Sequence, residues 1–208
     1  MSFSIVDREM MSRALVLAAK GRYTSSPNPT IGCVISIGDQ IVGEGSTRPS
    51  GGNHAEIEAL NQVSDAANSC VYVTLEPCSH QGKTGPCALA LIEARVARVV
   101  IACEDPNPVV AGSGIKLLQE AGIEVECGLL EDQAREVNKG FFKRHEHGLP
   151  WVLVKMAASM DGRTAMASGQ SQWVTTPASR QDVQRLRAAS CGIITGIGTQ
   201  LMDDPSLT

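Results

Sequence analysis

Three short motifs carry residue types that bind metals and move protons: His54-Ala55-Glu56, Pro77-Cys78 and Cys87. One imidazole and two thiolates give a zinc ion three protein ligands, and a catalytic zinc keeps its fourth position for water. The metal lowers the pKa of that water, so a nucleophile is available near neutral pH. Glu56 lies two residues past His54 and can reach the water without binding the metal, which suits a proton shuttle. A lone His-x-Glu means little, and two cysteines separated by eight residues can be a coincidence or a structural clip. All three motifs together, each at a predicted element boundary, are much harder to assemble by accident. A purely structural zinc would want a fourth protein ligand, for which His80 is the nearest candidate.

Hydrophobic period and chain breakers predict the elements that must position these residues. Asp7 is expected to cap a helix with an apolar stripe of Met11, Leu15 and Ala18 that ends near Gly21. Cys33 to Ile37, Gly38-Asp39 and Gln40 to Gly43 read as a β-hairpin. Helices are predicted over His54–Val63, Cys87–Arg95, Gly114–Ala121 and Glu131–Lys143. Strands are predicted over Cys70–Leu75, Arg98–Ala102 and Ile123–Glu126. This alternation implies a mostly parallel sheet covered on both faces, with the first hairpin placing an antiparallel strand at an edge. Two helix starts beside one strand end then form a ligand crevice of the open α/β kind.

Residues 145–150 are polar and breaker-rich, which predicts a linker between a domain over 1–147 and a second over 148–208. In the second segment Trp151–Lys155 and Cys191–Thr195 read as strands and Pro177–Ala188 as a helix. Two strands and one helix do not close a doubly wound sheet, so this segment is expected to be the incomplete start of a domain.

The chain of 208 residues carries a formal charge of −4 and has a sequence pI near 5.6. That balance argues against tight non-specific binding to nucleic acid, which needs a strong positive field. No stretch is long and apolar enough to span a bilayer, and residues 1–11 lack an apolar signal core. A cytoplasmic protein without membrane contact is expected. Seven cysteines lack the dense spacing of a secreted disulfide scaffold. Cys33, Cys70, Cys103, Cys127 and Cys191 are expected to be small buried residues, which leaves Cys78 and Cys87 for chemistry.

His-x-Glu followed by Pro-Cys-x-x-Cys marks the zinc nucleobase deaminases, with the glutamate as acid and base. Here the cysteine spacer is longer. Val73 to His80, Gly82-Lys83-Thr84, Pro86-Cys87, Asp105-Pro-Asn-Pro108, Val110-Ala-Gly112, Asn138-Lys-Gly-Phe141 and Lys155 to Thr164 together resemble the bifunctional deaminase/reductase family of riboflavin biosynthesis. The resemblance runs from about Met10 to the end of the chain. It implies a cytidine-deaminase-like three-layer α/β/α sandwich with a mixed sheet, followed by the incomplete start of a dihydrofolate-reductase-like α/β domain.

It further implies zinc on His54, Cys78 and Cys87, with Glu56 as the proton donor. The implied activity is deamination of a phosphorylated diaminopyrimidinone ribosylamine to the uracil derivative, followed by NADPH reduction of the ribosyl chain. Asn28, whose amide offers a donor and an acceptor to a pyrimidine edge, matches a ring contact, and His80 and Lys83 match substrate contacts. In the second domain the resemblance puts Ala157, Trp173, Thr199 and Asp203 on NADPH, and Ser171, Arg187 and Leu207 on substrate. The family commonly forms homo-oligomers. Two departures stand out: Thr47 replaces a histidine seven residues before His54, and Gly85 replaces a proline. The 208 residues alone are expected not to oxidise NADPH. The competing readings are a tRNA-editing type of deaminase, disfavoured by the acidic balance and the long spacer, and a non-catalytic zinc module.

Overall fold

Glycines 32 and 45 report how the first layers stack. A Cβ on Gly32 would overlap the Ala14 carbonyl, and one on Gly45 would overlap the Ala55 carbonyl. Ala14 lies on helix α1 (Ile5–Lys20) and Ala55 opens helix α2 (Ala55–Leu60). Gly32 and its neighbour Cys33 begin strand β1 (Gly32–Ile37), and Cys33 pairs with Gly45 of strand β2 (Gln40–Ser46). Successive strand residues face opposite sides of a sheet, so α1 and α2 cover opposite faces at backbone contact.

In this computed structural model residues 3–80 and 85–207 are described. They form two units that divide between Trp151 and Val152. In the first unit β3 (Cys70–Val73), β4 (Arg98–Ile101) and β5 (Glu124–Cys127) complete a five-stranded sheet of order β2-β1-β3-β4-β5. β1 is antiparallel to both β2 and β3, while β3, β4 and β5 run parallel. The sheet is therefore mixed, and antiparallel pairing reaches one strand further in than the hairpin alone predicts. Helices α3 (Cys87–Glu93) and α4 (Ser113–Glu120) pack together, with α3 also against α2, and α5 (Glu131–Val137) packs on α1. Cys33, Val34 and Ile35 of β1, Val71 and Val73 of β3, and Val99 to Ile101 of β4 are all fully buried. Burial without alternation is the mark of strands covered on both faces.

Several local expectations change. Ser4, not Asp7, caps α1: the Ser4 side chain accepts from the Asp7 amide and Asp7 reciprocates, a capping box. Asp7 also accepts from the Tyr72 hydroxyl at 2.9 Å and from Arg98 at 2.6 Å. Arg98 in turn pairs with Glu126. The predicted helix over 131–143 is two helices, α5 and α6 (Lys139–His147). They part at Asn138, whose side-chain amide is drawn out of helical register by the Thr30 backbone: it accepts the Thr30 N–H and donates to the Thr30 carbonyl, each at 2.8 Å. α6 runs through much of the predicted linker and stops at Gly148, which is left-handed with φ +67°.

The second unit holds α7 (Pro177–Ala188), capped by Thr176 and opened by proline, and α8 (Ile197–Asp203). Trp151–Lys155 and Cys191–Thr195 form no strand among the described residues. A strand needs a partner for its backbone groups, and Val152, Leu153 and Val154 are exposed. Cys127 and Cys191 are exposed rather than buried, Cys70 is half-buried, and Cys33 and Cys103 are buried as expected.

Two outcomes follow for stability. Arg98 beside it, and the Ser4 and Tyr72 donors, hold the Asp7 carboxyl well below the usual carboxylate range against burial. A depressed native pKa stabilises the fold above the unfolded value of about 3.9, and the benefit fades as pH falls below it. Asp7→Asn is expected to cost roughly 2 kcal/mol at neutral pH, and urea unfolding at successively lower pH should show the difference from wild type narrowing below about pH 4. Asn138→Ala leaves two buried backbone groups of Thr30 without partners, a loss of about 2–3 kcal/mol. Amide hydrogen exchange at Thr30 should accelerate more than exchange in the β1 core.

Candidate metal centre and active site

Each of the three ligand residues sits where an element begins or a loop turns. His54 is the N-cap residue of α2, with extended backbone and no side-chain cap bond, so its ring is not committed to the helix amides it precedes. Cys87 is the first residue of α3, after Pro86. β3 ends at Val73, so Cys78 lies in the loop beyond the strand rather than at the strand's end. Backbone bonds hold that loop to α3: the Ala88 N–H donates to the Cys78 carbonyl at 3.1 Å, and the Cys87 N–H donates to Cys78 Sγ at 3.3 Å.

His54 Nδ1 lies 3.6 Å from Cys78 Sγ and 3.3 Å from Cys87 Sγ. The donor atoms of the three residues all fall within 4.8 Å of one another. Zinc–sulfur bonds of about 2.3 Å and zinc–nitrogen bonds of about 2.0 Å in a tetrahedron place ligand atoms roughly 3.5 Å apart, so this donor set fits one zinc ion. Among the described residues His80 is not part of the cluster, and it is exposed. Three protein ligands leave one position open, the arrangement of catalytic rather than structural zinc.

The electrostatics match a cation site. The Cys87 thiol, the His54 ring and the Cys87 amide together hold the Cys78 thiol well below its ordinary value against burial. Its partnership with Cys78 and its own burial push Cys87 upward. The Cys78 side chain raises His54, against burial. The trio therefore holds protons that a bound cation would displace.

Glu56, in the first turn of α2, is 1% exposed. Its Oε2 has no hydrogen-bond partner among the described residues. Burial above all pushes its carboxyl up to about 7, the negative Cys78 adding to the rise. A buried carboxyl that can hold or release a proton near neutrality, beside a donor set that fits zinc, is equipped for general acid–base work.

Asn28 is half-buried, and its N–H donates to the Ser25 carbonyl at 2.9 Å. The segment carrying it is fixed from several sides. Asn138 pairs with the Thr30 backbone, the Thr30 hydroxyl donates to the Ala18 carbonyl, and the Ile31 N–H donates to Thr47 Oγ1 at 2.9 Å. Thr47 is thus a buried backbone clamp, its hydroxyl engaged by the Ile31 backbone. Among the described residues a Cβ at Gly85 would meet nothing within 4 Å. Lys83 lies outside the described residues.

In the second unit Ser171 and Trp173 line a cleft of about 800 Å³ with Arg163, Met166 and Gln170. The Arg180 guanidinium stacks 4.4 Å from the Trp173 ring centroid. Thr199 and Asp203 are four apart on α8 and share its face. Arg187 on α7 donates to the Ser206 carbonyl at 2.7 Å, next to Leu207. Ala157, Arg187, Thr199, Asp203 and Leu207 are not among the residues lining the cleft.

Two residues that the sequence reading quotes only within motifs of the resemblance, with no role of their own, prove central to the geometry: Glu76 and Asn138. Glu76 had a signal: it is a carboxylate directly after the buried run Val71 to Leu75. Asn138 had one too, as a polar interruption of a helical period.

Comparisons with known proteins divide the chain in the same way. Residues 4–103 match the family described as the cytidine and deoxycytidylate deaminase zinc-binding region, and residues 150–208 match the RibD C-terminal domain. The riboflavin biosynthesis protein RibD of Haemophilus influenzae is 53% identical over all of this chain, which spans 56% of that protein. The solved structure of Acinetobacter baumannii RibD superposes with a TM-score of 0.93 at 52% identity, covering 97% of this chain and 57% of that one. A diaminohydroxyphosphoribosylaminopyrimidine deaminase/5-amino-6-(5-phosphoribosylamino)uracil reductase from Thermotoga maritima gives 0.92 at 36% identity, covering 96% and 58%. The chain spans a little over half the length of these relatives. With both matched regions in the same order, and this identity along the whole of its length, the chain belongs to the RibD family of riboflavin biosynthesis proteins.

Proposed function

We propose that the chain catalyses the zinc-dependent hydrolytic deamination of 2,5-diamino-6-(ribosylamino)pyrimidin-4-one 5′-phosphate to 5-amino-6-(5-phosphoribosylamino)uracil, a step of riboflavin biosynthesis. The observation that carries this reading is Glu56: a buried carboxylate with an unpartnered oxygen beside the His54, Cys78 and Cys87 donors. The deaminase/reductase named for the Thermotoga maritima relative supports the choice of substrate.

His54 Nδ1, Cys78 Sγ and Cys87 Sγ would hold the zinc. When bound, the metal supplies Lewis-acid activation of water near neutral pH. Glu56 accepts the proton released from water, delivers it to the ring nitrogen and then assists the departing ammonia. Its place beside the ligand set, with one oxygen unpartnered among the described residues, suits it to that proton transfer. Asn28 reads the pyrimidine edge with its amide donor and acceptor. His80 and Lys83 contact the remainder of the substrate, with Lys83 as a phosphate partner.

Residues 1–147 form the deaminase domain in this reading, and 148–208 belong to an NADPH-dependent reductase domain. There Ala157, Trp173, Thr199 and Asp203 serve the cofactor, and Ser171, Arg187 and Leu207 serve the substrate. A cytoplasmic homo-oligomer acting on a small phosphorylated pyrimidine, not on nucleic acid or membrane, completes the assignment. No described helix is long and apolar enough to cross a membrane.

Ammonia release from the phosphorylated diaminopyrimidine, with metal content measured on the same sample, tests the activity. Glu56→Gln is expected to keep its zinc and lose roughly 10²- to 10⁴-fold in kcat; undiminished deamination with zinc bound would refute the assignment. The same substitution has an opposite effect on the metal-free fold. A carboxyl raised by burial destabilises the native state as pH climbs from its unfolded value, about 4.3, toward its native value. Metal-free Glu56→Gln should therefore unfold at higher urea than metal-free wild type at pH 8, by about 1–2 kcal/mol, and the gain should vanish near pH 4.

A further inference from the structure

Glu76 is 2% exposed, yet its carboxylate has four backbone donors. Oε2 accepts from Asp105 at 3.1 Å and from Gly112 at 2.9 Å, and Oε1 from Gly114 at 2.8 Å and Ile115 at 3.2 Å. Gly112 is the N-cap residue of α4, left-handed with φ +76° and without a side chain to cap the helix. Gly114 and Ile115 are the second and third residues of that helix, whose amides a cap residue ordinarily satisfies. Glu76 thus caps α4 from a different part of the chain, and its negative charge sits where the helix dipole favours it.

The attachment continues past Glu76. A Cβ at Gly114 would overlap the Pro77 carbonyl, so the loop lies directly on the helix backbone there. Ser79 Oγ and Ser113 Oγ are 2.6 Å apart. Behind, the Glu76 N–H donates to the Cys103 carbonyl at 3.0 Å. Contacts to the first turn of α4 therefore lie on both sides of Cys78. Between Glu76 and Cys78 stands only Pro77, whose ring locks its φ.

We propose that Glu76 is a positioning residue for the metal centre, binding the first turn of α4 so that the 76–79 loop presents the Cys78 sulfur at a fixed place and thereby setting metal affinity without touching the metal. The inference rests on the reading of His54, Cys78 and Cys87 as zinc ligands. Outer partners that orient a ligand typically change metal affinity by roughly 10- to 100-fold.

The test is zinc affinity of the full chain, by competition with a chromophoric chelator, together with the thiolate-to-metal absorption of the cobalt-substituted protein. Glu76→Gln presents an amide N–H₂ to two backbone donors and should weaken zinc binding roughly 10- to 100-fold, with an altered cobalt spectrum. Ser79→Ala removes one attachment without burying an unpaired charge, and should weaken zinc several-fold; it decides the matter where Glu76→Gln does not fold. Asp7→Asn, destabilised at the other end of the sheet, should bind zinc as wild type does. Unchanged zinc affinity in the folded Glu76 and Ser79 variants would overturn the inference, as would an equal loss in Asp7→Asn. Failure of wild type to bind one zinc, or undiminished binding by Cys78→Ser, would instead sink the ligand reading and this inference with it.

Discussion

Two thiols and an imidazole within 4.8 Å are an unfavourable group to bury without a cation. Each competes with the others for protons, and burial resists charge on all of them. The polypeptide holds them together because the segments that carry them are pinned by backbone contacts. The Cys78 carbonyl and sulfur accept amides from the start of α3, and His54 is carried by the first turn of an α2 that lies in backbone contact with Gly45. Close packing of that helix on the sheet depends on glycine at position 45, since any side chain there would lift α2 and carry His54 away from the cysteines. The metal centre is thus a consequence of how tightly one layer lies on the next.

The same reliance on distant backbone pairing governs the segment that carries Asn28. Asn138 is 108 residues away in sequence, yet it pairs with Thr30 as a neighbouring strand would. Breaking a long helix at Asn138 forgoes regular helical hydrogen bonding, and the return is a rigid entry into β1. Thr47 does the same from β2's side by taking the Ile31 amide. A loop proposed to read a ring edge by hydrogen bonds needs such rigidity, because an amide that drifts loses discrimination between donor and acceptor patterns.

Many of the elements were legible because they follow from local period. β1 and β2 with their Gly38-Asp39 turn, the helix from Cys87, and the Pro177–Ala188 helix all carry their own start and stop signals. The metal triad was legible because its residue types are rare in combination. What escaped the sequence was set by distant partners. Asp7 resembles a cap in isolation; only the folded chain brings Tyr72 and Arg98 to it and leaves the cap to Ser4. The antiparallel pairing of β1 with β3 is a choice of neighbour that period alone does not specify. Trp151–Lys155 has strand composition, but composition does not supply the adjoining strand.

Two buried glutamates show how far surroundings decide role. Glu56 and Glu76 are 1% and 2% exposed, and from sequence either is an acid near a cysteine or histidine. Glu76 collects four amide donors, which tie it to Asp105 and the first turn of α4 and leave it to hold position. Glu56 keeps an oxygen with no donor at all among the described residues. A fold that satisfies one buried carboxylate so fully can satisfy another; leaving Glu56 Oε2 without a partner among the described residues costs stability. Such a cost persists where the group is used for chemistry. The division of labour between the two glutamates is therefore written in their hydrogen bonds, not in their burial.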